Sequence, residues 1–217
     1  MELLWVTRHG QTLHNVRHLV NGEMRRQVTL DDTGRSQAAQ AGRVLADEPI
    51  DACFTSPFSR ALDTAKIMLA GRSVPIHVRP GLAEVRCGDY FEGRNSDEYD
   101  AWIWKQGVFV SPPGQGGDSL AESLGRYHDE LMSIADRPER VGLAVTHASP
   151  VGLARRVLGY VKGDQLLPLP AAMQALPYRI RVQELVEGLA RAMSHMVEVA
   201  MSDELGRLWV NGRGLAG

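Results

Sequence analysis

Residues 3–16 read LLWVTRHGQTLHNV. The opening run, Leu3 to Thr7, is short, unbroken and apolar, and a turn signal follows it, which predicts a buried strand. The strand then delivers Arg8, His9 and Gly10 in succession. A guanidinium is permanently charged and presents a planar fork of donors suited to an oxyanion. An imidazole serves as nucleophile or base near neutral pH. Gly10 omits a side chain where the backbone must let a ligand come close. Thr12 and Asn15 add uncharged donors within the next turn. Together these residues describe a nucleophile or base inside an anion cradle. His14 and His18 stand four apart, a spacing that can place two imidazoles on one helix face for a metal. The glutamate that a zinc-peptidase helix carries between its histidines is missing here, and no metal site is expected.

Working outward, strands and helices alternate. DDTGRSQAAQAGRVLADE (31–48) reads as a helix capped by Asp31 or Asp32, with Ala38, Ala39, Gly42, Val44 and Leu45 as its core candidates. IDACFTS (50–56) reads as a second buried strand. Pro57 suits the first turn of the helix that follows, and Gly71 suits its end. PIHV (75–78) is a third strand; residues 119–138 form a helix capped by Asp118 or Ser119; RVGLAVTHAS (140–149) is a strand; and a helix opens with Pro150. The pattern predicts an α/β fold, a three-layer α/β/α sandwich with a mainly parallel central sheet, in a single domain over 1–217. Ligands of such sheets sit beyond the carboxyl ends of the strands. Three loops at such ends carry Arg8 with His9, Arg60, and His147.

Residues 88–118 are rich in aromatics and glycines and read as an excursion over the site, with Tyr99, Trp102 and Trp104 as candidate pocket walls. Its GQGGDS (114–119) lacks the spacing of a nucleotide-binding loop and reads as a turn before a helix. The segment 177–217 is the least regular: YRIRV (178–182) suits a strand, 184–201 has helical spacing, and RLWVNGRG (207–214) suits an edge strand or a loose end.

Composition narrows the class. Of 217 residues, 44% are apolar and 23% charged, and the formal net charge is −2. No bulk basic field points to nucleic acid or to an anionic membrane. No run approaches the ~20 apolar residues of a membrane span. The N-terminus lacks the features of a signal peptide. Cys53 and Cys87 make neither a disulfide framework nor a zinc pattern. The expectation is a cytoplasmic protein, possible as a homodimer, that needs no cofactor.

TRHGQTLHN (7–15) resembles the signature of the histidine phosphatase superfamily, in its phosphoglycerate mutase-like, RHG-motif branch. VTLDDTGRSQAAQAG (28–42), SPFSRALDTAKI (56–67), LAEVRCGDYFEG (82–93) and GLAVTHAS (142–149) resemble further family segments in the family's order. One RHG triplet is weak evidence, whereas five ordered segments are strong. The resemblance implies that His9 attacks a phosphomonoester and becomes phosphorylated. It implies that Arg8, Arg60 and a protonated His147 surround the phosphoryl group, and that Glu84 is general acid and base. Gln11, Thr12, Asn15, Asn21, Gly22 and the backbone of Ala148 would line the site. In such a family the C-terminal part should contribute a strand pair, and the helical reading of 184–201 departs from that.

The resulting expectation is a metal-independent phosphatase for a small phosphorylated metabolite. Mutases of the family carry a longer, basic insertion after the acidic motif, whereas GDYFEGRNSDEYDAWIWKQG (88–107) is short and holds several acids. Phosphoglycerate mutase-type transfer is the first alternative, and a non-catalytic binder of phosphorylated ligands the second.

Overall fold

The structure, a computed structural model, describes residues 1–26, 28–107, 109–151 and 177–199. The strands are β1 (Leu3–Arg8), β2 (Ala52–Thr55), β3 (Ile76–Val78), β4 (Val141–Thr146) and β5 (Tyr178–Arg181). They form one sheet in the order β3-β2-β4-β1-β5. The first four are parallel, and β5 runs antiparallel along the outer side of β1. The helices are α1 (Leu13–Val16), α2 (Asp32–Val44), α3 (Ser59–Met68), α4 (Gly88–Phe91), α5 (Ser96–Gln106), α6 (Leu120–Ala135) and α7 (Val182–Val199).

Two apolar clusters lie on the two faces of the sheet, because successive strand residues point to opposite sides. Leu4, Val6, Phe54 and Ala144 pack with Tyr127 and Leu131 of α6 and with Leu185 and Leu189 of α7. Cys53, Leu143 and Val145 pack with Ala38 and Ala41 of α2 and with Ala61 and Ala65 of α3. The small residues on α2 and α3 let these helices pack closely on the sheet and on one another. The result is the expected three-layer sandwich.

Helix starts follow local chemistry. Asp31 caps α2, its Oδ1 accepting the Gly34 N–H at 2.7 Å. Ser119 and Glu122 form a capping box at the start of α6. Pro57 does not enter the first turn of α3: Phe58 is the extended N-cap, and Ser56 Oγ accepts the Phe58 N–H at 3.3 Å. The Ser56–Pro57 turn is thereby fixed ahead of the helix. Gly71 makes the expected left-handed exit (φ 80°) two residues after the C-cap Leu69. The loop after β4 turns helical at Ala148, ahead of Pro150, and 148–151 is helical. The rest of that predicted helix and the 207–214 stretch lie outside the described residues. Downstream, YRIRV supplies β5 and the helical reading of 184–201 is met by α7, so a strand followed by a helix stands where the resemblance implied a strand pair. The excursion is α4, α5 and the loop after them. Among the described residues, no helix is long and apolar enough to cross a membrane.

Candidate active site

β1, β2 and β4 are neighbours and parallel, so their carboxyl ends open onto one edge of the sheet. His9 follows β1, Arg60 is the second residue of α3 after β2, and His147 follows β4. The imidazoles of His9 and His147 lie 5.2 Å apart, centroid to centroid, edge to face. Arg60 joins them. Its Nε donates to His9 Nε2 at 3.1 Å and its Nη2 to His147 Nδ1 at 3.2 Å. Nη2 also donates to the Asn21 carbonyl at 3.0 Å, and the guanidinium stacks over Phe58 at 4.3 Å.

The tautomers follow from the partners. A guanidinium only donates, so both nitrogens it reaches are acceptors. His9 therefore carries its proton on Nδ1, which donates to the Gly10 carbonyl at 2.7 Å. Its Nε2 lone pair faces the site. His147 carries its proton on Nε2 and donates to Ser56 Oγ at 2.7 Å.

Burial and like charge act together on these groups. His9 is pushed well below the ordinary histidine range, by burial first and then by Arg60 and Arg8. His147 moves the same way, by burial first, then by Arg60 and His9. Both are neutral here, which suits a nucleophile at His9 and differs from the protonated His147 that the resemblance implied. Burial also brings Arg60 down to about 10, still charged at neutral pH. A depressed histidine binds its proton more readily in the unfolded chain, so the unfolded state takes up protons first as pH falls. Stability is full above about pH 6.5 and declines below it. Chemical denaturation at pH 7.5 and 5 is expected to show a lower unfolding free energy at pH 5, with a smaller difference in His147→Gln.

The groups around His9 and Arg60 form a cavity of about 280 Å³. Arg8, His9, Arg60, Glu84 and the 148–149 turn are among its lining. Glu84 is half-buried, and its Oε1 accepts the Val85 N–H at 3.0 Å while Oε2 accepts the Ala148 N–H at 3.2 Å. Arg126 of α6 holds the backbone beneath it, donating to the carbonyls of Gly81 (3.0 Å), Ala83 (2.8 Å) and Glu84 (3.3 Å). Asn21 and Gly22 line the cavity as expected. The Arg8 Nε, the Arg60 Nη1 and both side-chain polar atoms of Asn21 are buried without a hydrogen-bond partner. Unpaired donors buried together are costly, and an oxyanion would satisfy them.

Other positions differ from the expectation. Gln11 does not line the cavity: its side chain donates to Asp31 Oδ2 at 3.2 Å, at the start of α2. His147 lies behind Arg60, fully buried, and does not line the cavity either. Thr12 and Asn15 line it, but Thr12 Oγ1 and its N–H are spent on Asn15 Oδ1, in a capping box that starts α1. Gly10 makes room for protein, not ligand. A Cβ there would run into the Gly34 carbonyl of α2, and the Gly10 N–H donates to Thr64 Oγ1 at 3.0 Å. His14 and His18 do not share a helix face, because α1 ends at Val16 and His18 is left-handed (φ 53°). Among the described residues, no cluster of three or more metal-ligating side chains forms. Tyr99 lines the cavity, whereas Trp102 packs on Phe91 and Tyr99, with centroids 5.6 and 6.4 Å away. The side chain of Trp104 lies outside the described residues.

Sequence reasoning passed over Ser56, Arg126 and Glu92. Buried Glu92 accepts the N–H groups of Gly22 (2.9 Å) and Glu23 (3.2 Å), fixing the loop whose Asn21 carbonyl aims Arg60. Its only signal was its place in LAEVRCGDYFEG (82–93), eight residues after Glu84.

Comparison with known proteins agrees with this geometry. A model of the histidine phosphatase superfamily (branch 1) matches residues 4–172. The adenosylcobalamin/alpha-ribazole phosphatase of Salmonella typhimurium is 30% identical over 140 residues, covering 61% of this chain and 68% of that protein. A 2,3-bisphosphoglycerate-dependent phosphoglycerate mutase of Methylobacterium sp. is 31% identical over 202 residues, covering 85% of this chain and 94% of that protein. Among solved structures, Bacillus stearothermophilus YhfR superposes with a TM-score of 0.65 at 27% identity, over 82% of this chain and 90% of that one. A mycobacterial glucosyl-3-phosphoglycerate phosphatase solved with VO3 superposes at 0.63 with 25% identity, over 82% and 92%. With its two histidines bridged by one buried arginine at the strand ends, the chain belongs to branch 1 of the histidine phosphatase superfamily.

Proposed function

We propose that the protein hydrolyses a small-molecule phosphomonoester through a phosphohistidine on His9, without a metal and in the cytoplasm. The observation that carries this reading is the His9 tautomer, with Nδ1–H tied to Gly10 and the Nε2 lone pair turned to Arg60. Nε2 gives up its hydrogen bond from Arg60 Nε, which passes to a phosphoryl oxygen, and attacks phosphorus; the ester P–O bond breaks, and protonated Glu84 gives its proton to the departing alkoxide. Glu84, now a carboxylate, takes a proton from water; the water oxygen attacks phosphorus and the P–N bond breaks. Inorganic phosphate leaves, and neutral His9 and protonated Glu84 are restored. Arg8 and Arg60 spread their donors over the equatorial oxygens, where charge concentrates during transfer. A phosphoryl dianion held by Arg60 would favour the charged form of the His147 behind it, offsetting the burial that keeps it neutral.

The test is phosphate release from a panel of phosphorylated metabolites, with and without chelator and with and without 2,3-bisphosphoglycerate. Release that ignores both additions is the expected result. Loss of activity with chelator sinks the metal-free mechanism. Strict dependence on the bisphosphate favours the mutase reading, which the 85% coverage by a named mutase keeps in play. Glu84→Gln discriminates the acid step. An alkyl ester, whose leaving group needs the proton, should lose about 10²- to 10⁴-fold in kcat, and p-nitrophenyl phosphate far less.

A further inference from the structure

Glu92, the C-cap of α4, takes no part in the reaction above and does not line the cavity. It is 8% exposed, and its Oε1 is buried without a hydrogen-bond partner. Burial pushes its carboxyl above the ordinary range, against the pull of the Gly22 N–H and of Arg26. An aliphatic side chain would leave no polar oxygen unpaired there, so the carboxylate is costly to keep. Local rules of this kind are broken chiefly where function needs it.

The loop it grips runs beside residues 93–96. The Val20 N–H donates to the Arg94 carbonyl at 2.8 Å, the Gly93 N–H to the Val20 carbonyl at 3.0 Å, and the Ser96 N–H to the His18 carbonyl at 2.7 Å. Next comes the peptide unit joining Asn21 to Gly22. Its carbonyl accepts Arg60 Nη2 at 3.0 Å, and its N–H donates to Glu92 Oε2 at 2.9 Å. Both groups belong to one rigid plane, so what holds the N–H also aims the carbonyl. A glycine on one side lets such a plane flip at little cost, which would turn an N–H towards the guanidinium. Glu92 opposes that flip, and a charged acceptor on the N–H polarises the carbonyl it shares a plane with. It also acts across space: burial lowers Arg60 first, and Glu84 and then Glu92 pull it back up. Resting on the phosphatase reading for the reaction that Arg60 serves, we propose that Glu92 is a positioning residue. By holding the N–H of the Asn21–Gly22 peptide, it keeps that carbonyl on Arg60 and so sets where the guanidinium meets the phosphoryl group.

The test is a double-mutant cycle of Glu92→Leu with Arg60→Ala. Two readouts are taken, kcat/KM for p-nitrophenyl phosphate and the calorimetric Kd of inorganic orthovanadate. In the wild-type background Glu92→Leu is expected to cost about 10- to 100-fold in kcat/KM and to weaken vanadate about tenfold. With Arg60→Ala already present, it should change either by no more than about twofold. Glu92→Gln keeps an acceptor for both N–H groups and should recover most of the loss. If Glu92→Leu does not fold, Glu92→Asp, one methylene too short to reach both N–H groups, takes its place in the cycle. Equal losses in the two backgrounds, or no loss in the first, overturn the positioning role. Should wild type release no phosphate while the vanadate cycle keeps its pattern, the phosphatase reading falls and the coupling of Glu92 to Arg60 stands. If wild type neither releases phosphate nor binds vanadate, both fall.

Discussion

His9→Ala is expected to lower turnover of any phosphomonoester substrate by about 10⁵-fold, because the covalent step loses its nucleophile. Of the other imidazoles near the site, His147 is fully buried behind Arg60, with its protonated nitrogen committed to Ser56, and His14 lines the cavity without the backbone bond that fixes the His9 tautomer. The variant should fold, since the His9 side chain has one hydrogen bond to its own loop and one from Arg60. Rapid quench of wild type with a radiolabelled ester should trap acid-labile, base-stable phosphate on the protein, and His9→Ala should trap none. Wild-type turnover without such label, or near-normal turnover in the variant, would refute the covalent route.

Arg60→Ala is expected to cost about 10³-fold in kcat/KM, and Arg60→Lys to recover little of it. One guanidinium reaches His9, His147 and the Asn21 carbonyl and keeps Nη1 in reserve. An ammonium is a point charge and cannot span those partners in one plane. The same geometry separates function from stability. A guanidinium 3% exposed, with one nitrogen unpaired, is held against a desolvation cost. Arg60→Met should therefore hold or raise the thermal midpoint while activity is lost. A large fall in the midpoint would mean that Arg60 holds up the fold as well as the site.

Much of this was legible in the chain. The alternation of apolar runs with capped helical segments gave the sandwich, because a strand buried on both faces has to be continuously apolar. Arg8, His9, Arg60 and His147 were placed together by one rule, that parallel strands end on one edge. What the sequence could not convey was the packing that assigns each polar atom. Gly10 was read as clearance for a ligand, but only the approach of α2 shows that Gly34 fills that space. Gln11 stood in the signature and pointed elsewhere, because Asp31, twenty residues on, offered its side chain a partner. The i, i+4 spacing of His14 and His18 had meaning only on a helix that in fact stops at Val16. Glu92, Ser56 and Arg126 went unnoticed because each works through a partner that sequence distance conceals, 70, 91 and 42–45 residues away.

The order of the central strands also bears on how this protein would fail. Its bridging arginine spans partners 51 and 87 positions distant along the polypeptide, carried by three separate segments. No contiguous fragment short of most of the chain can assemble that triad, so a nicked or partly unravelled molecule should be inert rather than sluggish. Residual turnover in a denaturant titration should thus trace the surviving native population, making catalysis itself a gauge of global cooperativity.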